Sequence, residues 1–135
     1  MGLAASSIYL DSCLAIYLVE ENATFVAGLE SALAADPSAS FCISPLTEME
    51  CLIMPLRLGN QLLITKFKNW FKTVEVLSLQ SNVFHEAARL RADFSSLKTP
   101  DALHLAVAIH HKCDEFWTND SRLSSVAPLL VKNIL

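Results

Sequence analysis

Ser7-Ile8-Tyr9-Leu10-Asp11-Ser12-Cys13-Leu14-Ala15-Ile16-Tyr17-Leu18-Val19-Glu20 holds two apolar segments with an acid between them. Ser7 to Asp11 reads as a short buried strand and Leu14 to Glu20 as a helix that follows without a long loop. A strand feeding straight into a helix is the opening of a βαβ unit, and the same alternation continues down the chain. Thr24 to Ala35 is a second helical stretch, with Phe25, Leu29, Ala32 and Leu33 at helical spacing, stopped by Asp36-Pro37-Ser38. Phe41 to Ser44 is the second strand. Pro45 then opens a helix carrying Leu46, Met49, Glu50, Ile53 and Met54, which Pro55 is expected to kink or end.

Gly59-Asn60 marks a break before a helix over Gln61 to Lys72, whose Leu62, Leu63, Phe67, Trp70 and Phe71 oppose Lys66, Lys68 and Lys72. Val74 to Leu79 reads as a third strand. Ser81 or Asn82 caps a helix over Val83 to Phe94, and Thr99-Pro100-Asp101 supplies cap, first-turn proline and acid for the next, which runs to Lys112. Phe116 to Thr118 is a fourth strand, and Leu129 to Leu135 contains a shorter fifth. The expected fold class is a three-layer α/β/α sandwich around a mostly parallel sheet of four to five strands.

Four acids stand where apolar segments end or begin: Asp11, Glu50, Asp101 and Asp120. In an open parallel sheet the carboxyl ends of the strands share one edge, so acids far apart in sequence meet in one crevice. Clustered carboxylates repel unless a cation sits among them, and hard divalent ions take oxygen ligands. This inventory points to metal-dependent phosphodiester chemistry, in which a divalent ion acidifies water and polarises a phosphoryl oxygen.

The 135 residues suit one domain spanning the whole chain, 1–135. Apolar residues make up 53% and charged ones 18%, which excludes a disordered chain and leaves more apolar surface than one small core hides. A partner or self-interface is expected. The net charge of −4 argues against a general basic groove, although site acids account for much of it and bound cations would reverse the local sign. No apolar run reaches membrane-spanning length. Cys13, Cys42, Cys51 and Cys113 lack any C-x-x-C pairing and read as reduced, buried thiols of a cytoplasmic protein. His104 lies on an apolar helix and His110 and His111 at its end, where interaction with the helix dipole is the simpler account than zinc. With glycine only at positions 2, 28 and 59, neither a P-loop nor a dinucleotide fingerprint can be built. The start lacks the basic segment of a secretory leader. Met1 to Ser6 fits the myristoylation pattern, but the strand begins almost at once and leaves an acyl chain little tether.

Four ordered segments carry a resemblance: Ile8-Tyr9-Leu10-Asp11-Ser12; Ser44-Pro45-Leu46-Thr47-Glu48-Met49-Glu50-Cys51 followed by Pro55-Leu56-Arg57; Pro100-Asp101-Ala102-Leu103-His104-Leu105-Ala106; and Cys113-Asp114-Glu115-Phe116-Trp117-Thr118-Asn119-Asp120. From Ile8 to about Leu123 the chain resembles PIN-domain proteins, and among them the VapC-type ribonuclease toxins of toxin–antitoxin pairs. The resemblance implies that Asp11, Glu50, Asp101 and Asp120 are the catalytic and metal-binding acids. It also implies magnesium or manganese as cofactor, RNA as substrate with 5′-phosphate and 3′-hydroxyl products, a cognate antitoxin as partner, and a homodimer. Ser12 and Thr118 are expected to bond to a site carboxylate or to water on the metal, and Asn119 to fix the turn that aims Asp120. Glu48 is excluded because residues two apart point roughly 200° apart around a helix. Asp114, ahead of the fourth strand, belongs at the opposite edge.

The chain departs from the family pattern at Lys112, where a glycine is common, and at Glu48, where a basic or apolar residue often stands. Arg122 reads as a solvated surface arginine, with contact to a phosphate as the minority reading. Leu62, Leu63, Phe67, Trp70 and Phe71 divide between core and a surface for a partner, the region that receives the antitoxin in the family. Two other classes compete. One is a non-catalytic PIN scaffold. The other is a receiver or phosphatase-like domain using Asp11. A haloacid-type phosphatase needs an acid where Cys13 stands, and a receiver needs paired acids that do not precede Asp11.

Overall fold

The computed structural model describes residues 6–135; the acylation-type pattern at the amino terminus lies, through residue 5, outside them. Five strands form one parallel sheet: β1 (Ser7–Leu10), β2 (Ser40–Ile43), β3 (Glu75–Val76), β4 (Glu115–Thr118) and β5 (Val131–Asn133), in the order β3-β2-β1-β4-β5. Six helices connect them: α1 (Ser12–Val19), α2 (Val26–Ala34), α3 (Pro45–Arg57), α4 (Gln61–Phe71), α5 (Ser81–Asp93) and α6 (Thr99–His110). A short 3-10 turn over Ser121–Ser125 follows β4.

Alternation along β1 explains the layers. Ile8 and Leu10 point to one face, where they join Leu14 and Val19 of α1, Leu29 of α2, Cys51 of α3 and Phe67 of α4. Tyr9 points to the other, packing with Val83 and Leu90 of α5 and Leu105 and Val107 of α6. Because both faces are covered, the central strands are apolar on both faces over residues 8–10 of β1, 41–43 of β2 and 116–117 of β4. This is the expected α/β/α arrangement, and the sheet, expected to be mostly parallel, is parallel throughout.

Three details differ from expectation. The third strand shrinks from the expected Val74–Leu79 to Glu75–Val76, since it lies at the sheet edge and pairs only with Cys42 and Ile43. Pro55 does not end α3. So near the carboxyl end the missing N–H costs a single helical bond, and the helix runs two residues further before Gly59 at φ +62° turns the chain. The caps expected at Ser81 or Asn82 and at Thr99 move to Gln80 and Lys98.

Lys112 adopts φ +57°, the left-handed region, at the point where the resemblance called for glycine. Left-handed backbone costs a side-chain-bearing residue roughly 1–2 kcal/mol, and added chain freedom in the unfolded state returns about 0.4–1 kcal/mol of that when glycine replaces it. Lys112→Gly is therefore expected to raise stability by up to about 1 kcal/mol. The urea midpoint measures it, and a loss of stability would mean that the lysine side chain is itself held.

All four cysteines are free thiols, Cys42, Cys51 and Cys113 buried as expected and Cys13 only partly so. Among the described residues no helix is long and apolar enough to cross a membrane.

Candidate active site

Strand order reverses between β1 and β4, the place where an open α/β sheet forms a crevice at its carboxyl edge. Asp11 leaves β1 there. Its backbone N–H donates to Trp117 O at 2.9 Å, so the residue is still registered by the sheet. Its side chain caps α1: Oδ1 accepts from Ser12 N at 2.8 Å, and Oδ2 accepts from Thr118 Oγ1 at 2.8 Å. Thr118, fully buried at the end of β4, also accepts from Asp120 N at 3.0 Å. One hydroxyl thus ties the two strand-end acids together. Asn119 has another task than expected, since its Nδ2 reaches Tyr17 Oη at 3.4 Å and Thr118 holds the turn.

Glu50 sits in α3, and Ser12 Oγ donates to its Oε1 at 2.5 Å. His104 Nε2 lies 2.5 Å from the same oxygen. Burial is the largest influence on the Glu50 carboxyl and pushes its pKa up, but the His104 and Ser12 hydrogen bonds and the imidazole charge outweigh it, so the net shift is downward. Glu48, in the first turn of the same helix, has no part in these bonds. Asp114 lies at the other end of β1, accepting from Ser7 N at 2.7 Å.

Asp101 lies in the first turn of α6, one turn before His104. Among the described residues its carboxylate has no hydrogen-bond partner. Its pKa is raised, first by burial and then by the charges of Asp11 and Asp120, against the opposing pull of His104 and Arg122. Asp120 is held by Arg122 in a two-pronged pair, Nε to Oδ1 at 2.9 Å and Nη2 to Oδ2 at 2.6 Å. That pairing, chiefly its side-chain hydrogen bonds, keeps the Asp120 carboxyl below its ordinary pKa. The structure therefore links Asp11, Glu50 and Asp120 through Ser12 and Thr118, and sets Asp101 within their field.

Among the described residues no three His, Cys, Asp or Glu side chains are already gathered to hold a metal ion. The donor chemistry nonetheless suits a hard divalent cation, because every acid offers oxygen and Asp101 bears uncompensated repulsion that a cation would relieve. Asp120 must leave Arg122 to contribute both its oxygens. A cavity of about 110 Å³ beside Asp101 is lined by Lys98, Arg122, Ser96 and Ser125. A larger one, about 320 Å³, lies away from these acids among Leu10, Leu18, Leu33, Phe41 and Trp70.

The family model for the PIN domain matches residues 8–129. The chain belongs to the PIN domain family. A toxin–antitoxin complex from Klebsiella pneumoniae superposes with a TM-score of 0.78 at 22% identity, covering 95% of this chain and 98% of that one. DNA-bound VapBC from Salmonella typhimurium gives 0.77 at 14%, covering 96% and 99%. Mycobacterium tuberculosis VapC20, described as a toxin that cleaves the sarcin-ricin loop, gives 0.74 at 14%, covering 89% and 95%. At these identities the likeness is one of fold. No curated protein sequence matches the chain.

In this PIN domain two contacts escaped the sequence reading. His104 is 1% exposed with both ring nitrogens engaged, and Arg122, an exposed surface arginine as expected, also pairs with Asp120. The Ser121-Arg122 step after Asp120 was the only signal for the second. Nothing local marked the first, because its partners are 54 and 95 residues away.

Proposed function

We propose that this PIN domain is a divalent-metal-dependent endoribonuclease and the toxin of a toxin–antitoxin pair. The observation that carries it is the convergence of Asp11, Glu50 and Asp120 at the switch-point edge through shared hydrogen bonds, with Asp101 inside their electrostatic reach. Magnesium or manganese held by these acids would supply Lewis-acid stabilisation of phosphoryl charge and acidify water for in-line attack. Ser12 N and Thr118 orient Asp11. Ser12 Oγ and His104 orient Glu50. Arg122, once Asp120 turns to the cation, offers a planar fork suited to an RNA phosphate. Without a cation, the combined negative charge of these acids makes them a poor nucleic-acid surface on their own.

The RNA reading draws on the sarcin-ricin-cleaving toxin, and the antitoxin reading on the toxin–antitoxin complex, among proteins that share the fold. Met49, Met54 and Leu56 of α3 and Leu62 of α4 are exposed and offer an apolar surface for an amphipathic antitoxin segment. A second copy of the chain, forming a homodimer, is the other partner proposed, and the four free thiols suit a cytoplasmic setting. A non-catalytic scaffold is the second reading, favoured by the engagement of Asp120 with Arg122 and of Glu50 with His104.

The deciding experiment incubates an end-labelled RNA pool with the protein in magnesium or manganese, beside Asp11→Asn purified identically. Cleavage that EDTA stops and the variant lacks is expected. Folded wild type that binds manganese but leaves all RNA intact would replace the nuclease with the scaffold.

A further inference from the structure

The least economical feature of the core is a polar chain running through it. Tyr9 is 0% and His104 1% exposed. Burying such groups is unfavourable unless every polar atom is bonded, and among the described residues no buried side-chain nitrogen or oxygen lacks a partner. Tyr9 Oη lies 2.8 Å from Ser44 Oγ, 3.3 Å from Thr47 Oγ1 and 2.7 Å from His104 Nδ1. His104 Nε2 lies 2.5 Å from Glu50 Oε1 and 3.2 Å from Ser12 Oγ.

Donor logic gives this chain a direction. A carboxylate oxygen only accepts, so Nε2 must carry a proton toward Glu50. Nδ1 meets the Tyr9 hydroxyl, which both donates and accepts and so pairs with the ring in either form, and whose oxygen also lies within reach of the Ser44 and Thr47 hydroxyls. Ser12 donates to the same Glu50 oxygen. Both donors therefore take Oε1, and Oε2 has no protein partner among the described residues. Tyr9 is itself fixed, its ring stacked on Phe116 with centroids 5.4 Å apart and planes 12° from parallel. The imidazole is thus held by core packing on one side and grips a site carboxylate on the other.

We propose that His104, steered by Tyr9, is a positioning residue that anchors Glu50 through Oε1 and reserves Oε2 for a divalent cation. The proposal rests on the reading of Glu50 as a metal ligand. It assigns no chemistry on the substrate to His104. Groups that orient a ligand typically change metal affinity by about 10–100-fold when lost.

The test measures manganese affinity of the free protein by electron paramagnetic resonance, with nitrogen-15 NMR of the His104 ring. His104→Gln can place an amide N–H near the Nε2 position, whereas His104→Asn is too short to reach Glu50. Wild type is expected to show a proton on Nε2. His104→Asn should lose about 10–100-fold in manganese affinity, and His104→Gln should recover most of it. Tyr9→Phe, which keeps the ring packing and removes only the hydroxyl, is the second variant should His104→Asn fail to fold. It is expected to weaken manganese binding by a smaller factor. A ring with no proton on Nε2, or unaltered affinity in a folded His104→Asn or, in its place, Tyr9→Phe, overturns the proposal. Wild type that binds no manganese instead overturns the metal-site reading beneath it.

Discussion

Asp101→Asn is expected to lower RNA cleavage by more than about 100-fold, beyond the usual loss from an outer-shell change, while leaving the metal-free protein as stable as wild type or more so. The two effects share one cause. Among the described residues Asp101 has no hydrogen bond to lose, and its carboxyl is pushed up by burial and by the charges of Asp11 and Asp120. Asparagine keeps the shape and removes the repulsion. The half-buried site is screened by solvent, so the gain is modest. Its pH dependence is distinctive. A carboxyl whose folded pKa is raised holds its proton better in the native state, so stability is lost as pH rises from the unfolded value through the folded one. The penalty is complete above the folded value and absent below about pH 4.

The advantage of Asp101→Asn over wild type, read from urea midpoints, should therefore shrink as pH falls toward about 4. Glu50 and Asp120, whose pKa values are depressed, act in the opposite sense: they stabilise above their unfolded values, and that contribution is lost on acidification. Both are common to the two proteins and largely cancel in the difference. Added manganese should raise the melting temperature of wild type more than that of the variant. Wild-type cleavage by Asp101→Asn would remove Asp101 from the site.

The strand-to-helix alternation made the layered sheet legible, because each buried strand is apolar on both faces and each helix carries an apolar stripe. The positions of the acids were legible for a related reason, since an acid at the end of an apolar segment must emerge at an element boundary. What remained hidden was pairwise and long-range. The neighbour that takes Asp120 is two residues away, yet its bidentate geometry depends on the 3-10 turn that follows β4. His104 looked like one more member of an apolar helix, and only the packing of α6 over β1 brings it to Tyr9 and Glu50. The third strand was overlong in the sequence reading because edge position, which limits its pairing to two residues of β2, has no local signature.

The apolar set on α4 shows the same limit and yields the second large effect. Leu62, Leu63, Phe67, Trp70 and Phe71 are all large and mainly apolar, and sequence alone divided them between core and partner surface without saying which was which. The structure separates them: Phe67 is 0% and Phe71 7% exposed, whereas Leu62 is 75% exposed and Leu63 and Trp70 are half-buried. Phe67 packs in the cluster beneath Leu10, Leu14 and Ile43, with its ring 6.2 Å from that of Phe71. Phe67→Ala removes a full aromatic volume from a close-packed interior and is expected to cost about 3–5 kcal/mol. That is a large share of the roughly 5–15 kcal/mol that keeps a domain folded. Leu62→Ser, made one helical face away, should stay within about 0.5 kcal/mol of wild type. If α3 and α4 receive the antitoxin, Leu62→Ser should instead weaken that complex by about tenfold, as loss of an interface anchor worth about 1.4 kcal/mol would. Urea unfolding of the two variants separates these roles. Equal destabilisation by both would show that Leu62 is shielded in solution by a second copy of the chain, and would move the self-interface onto α4.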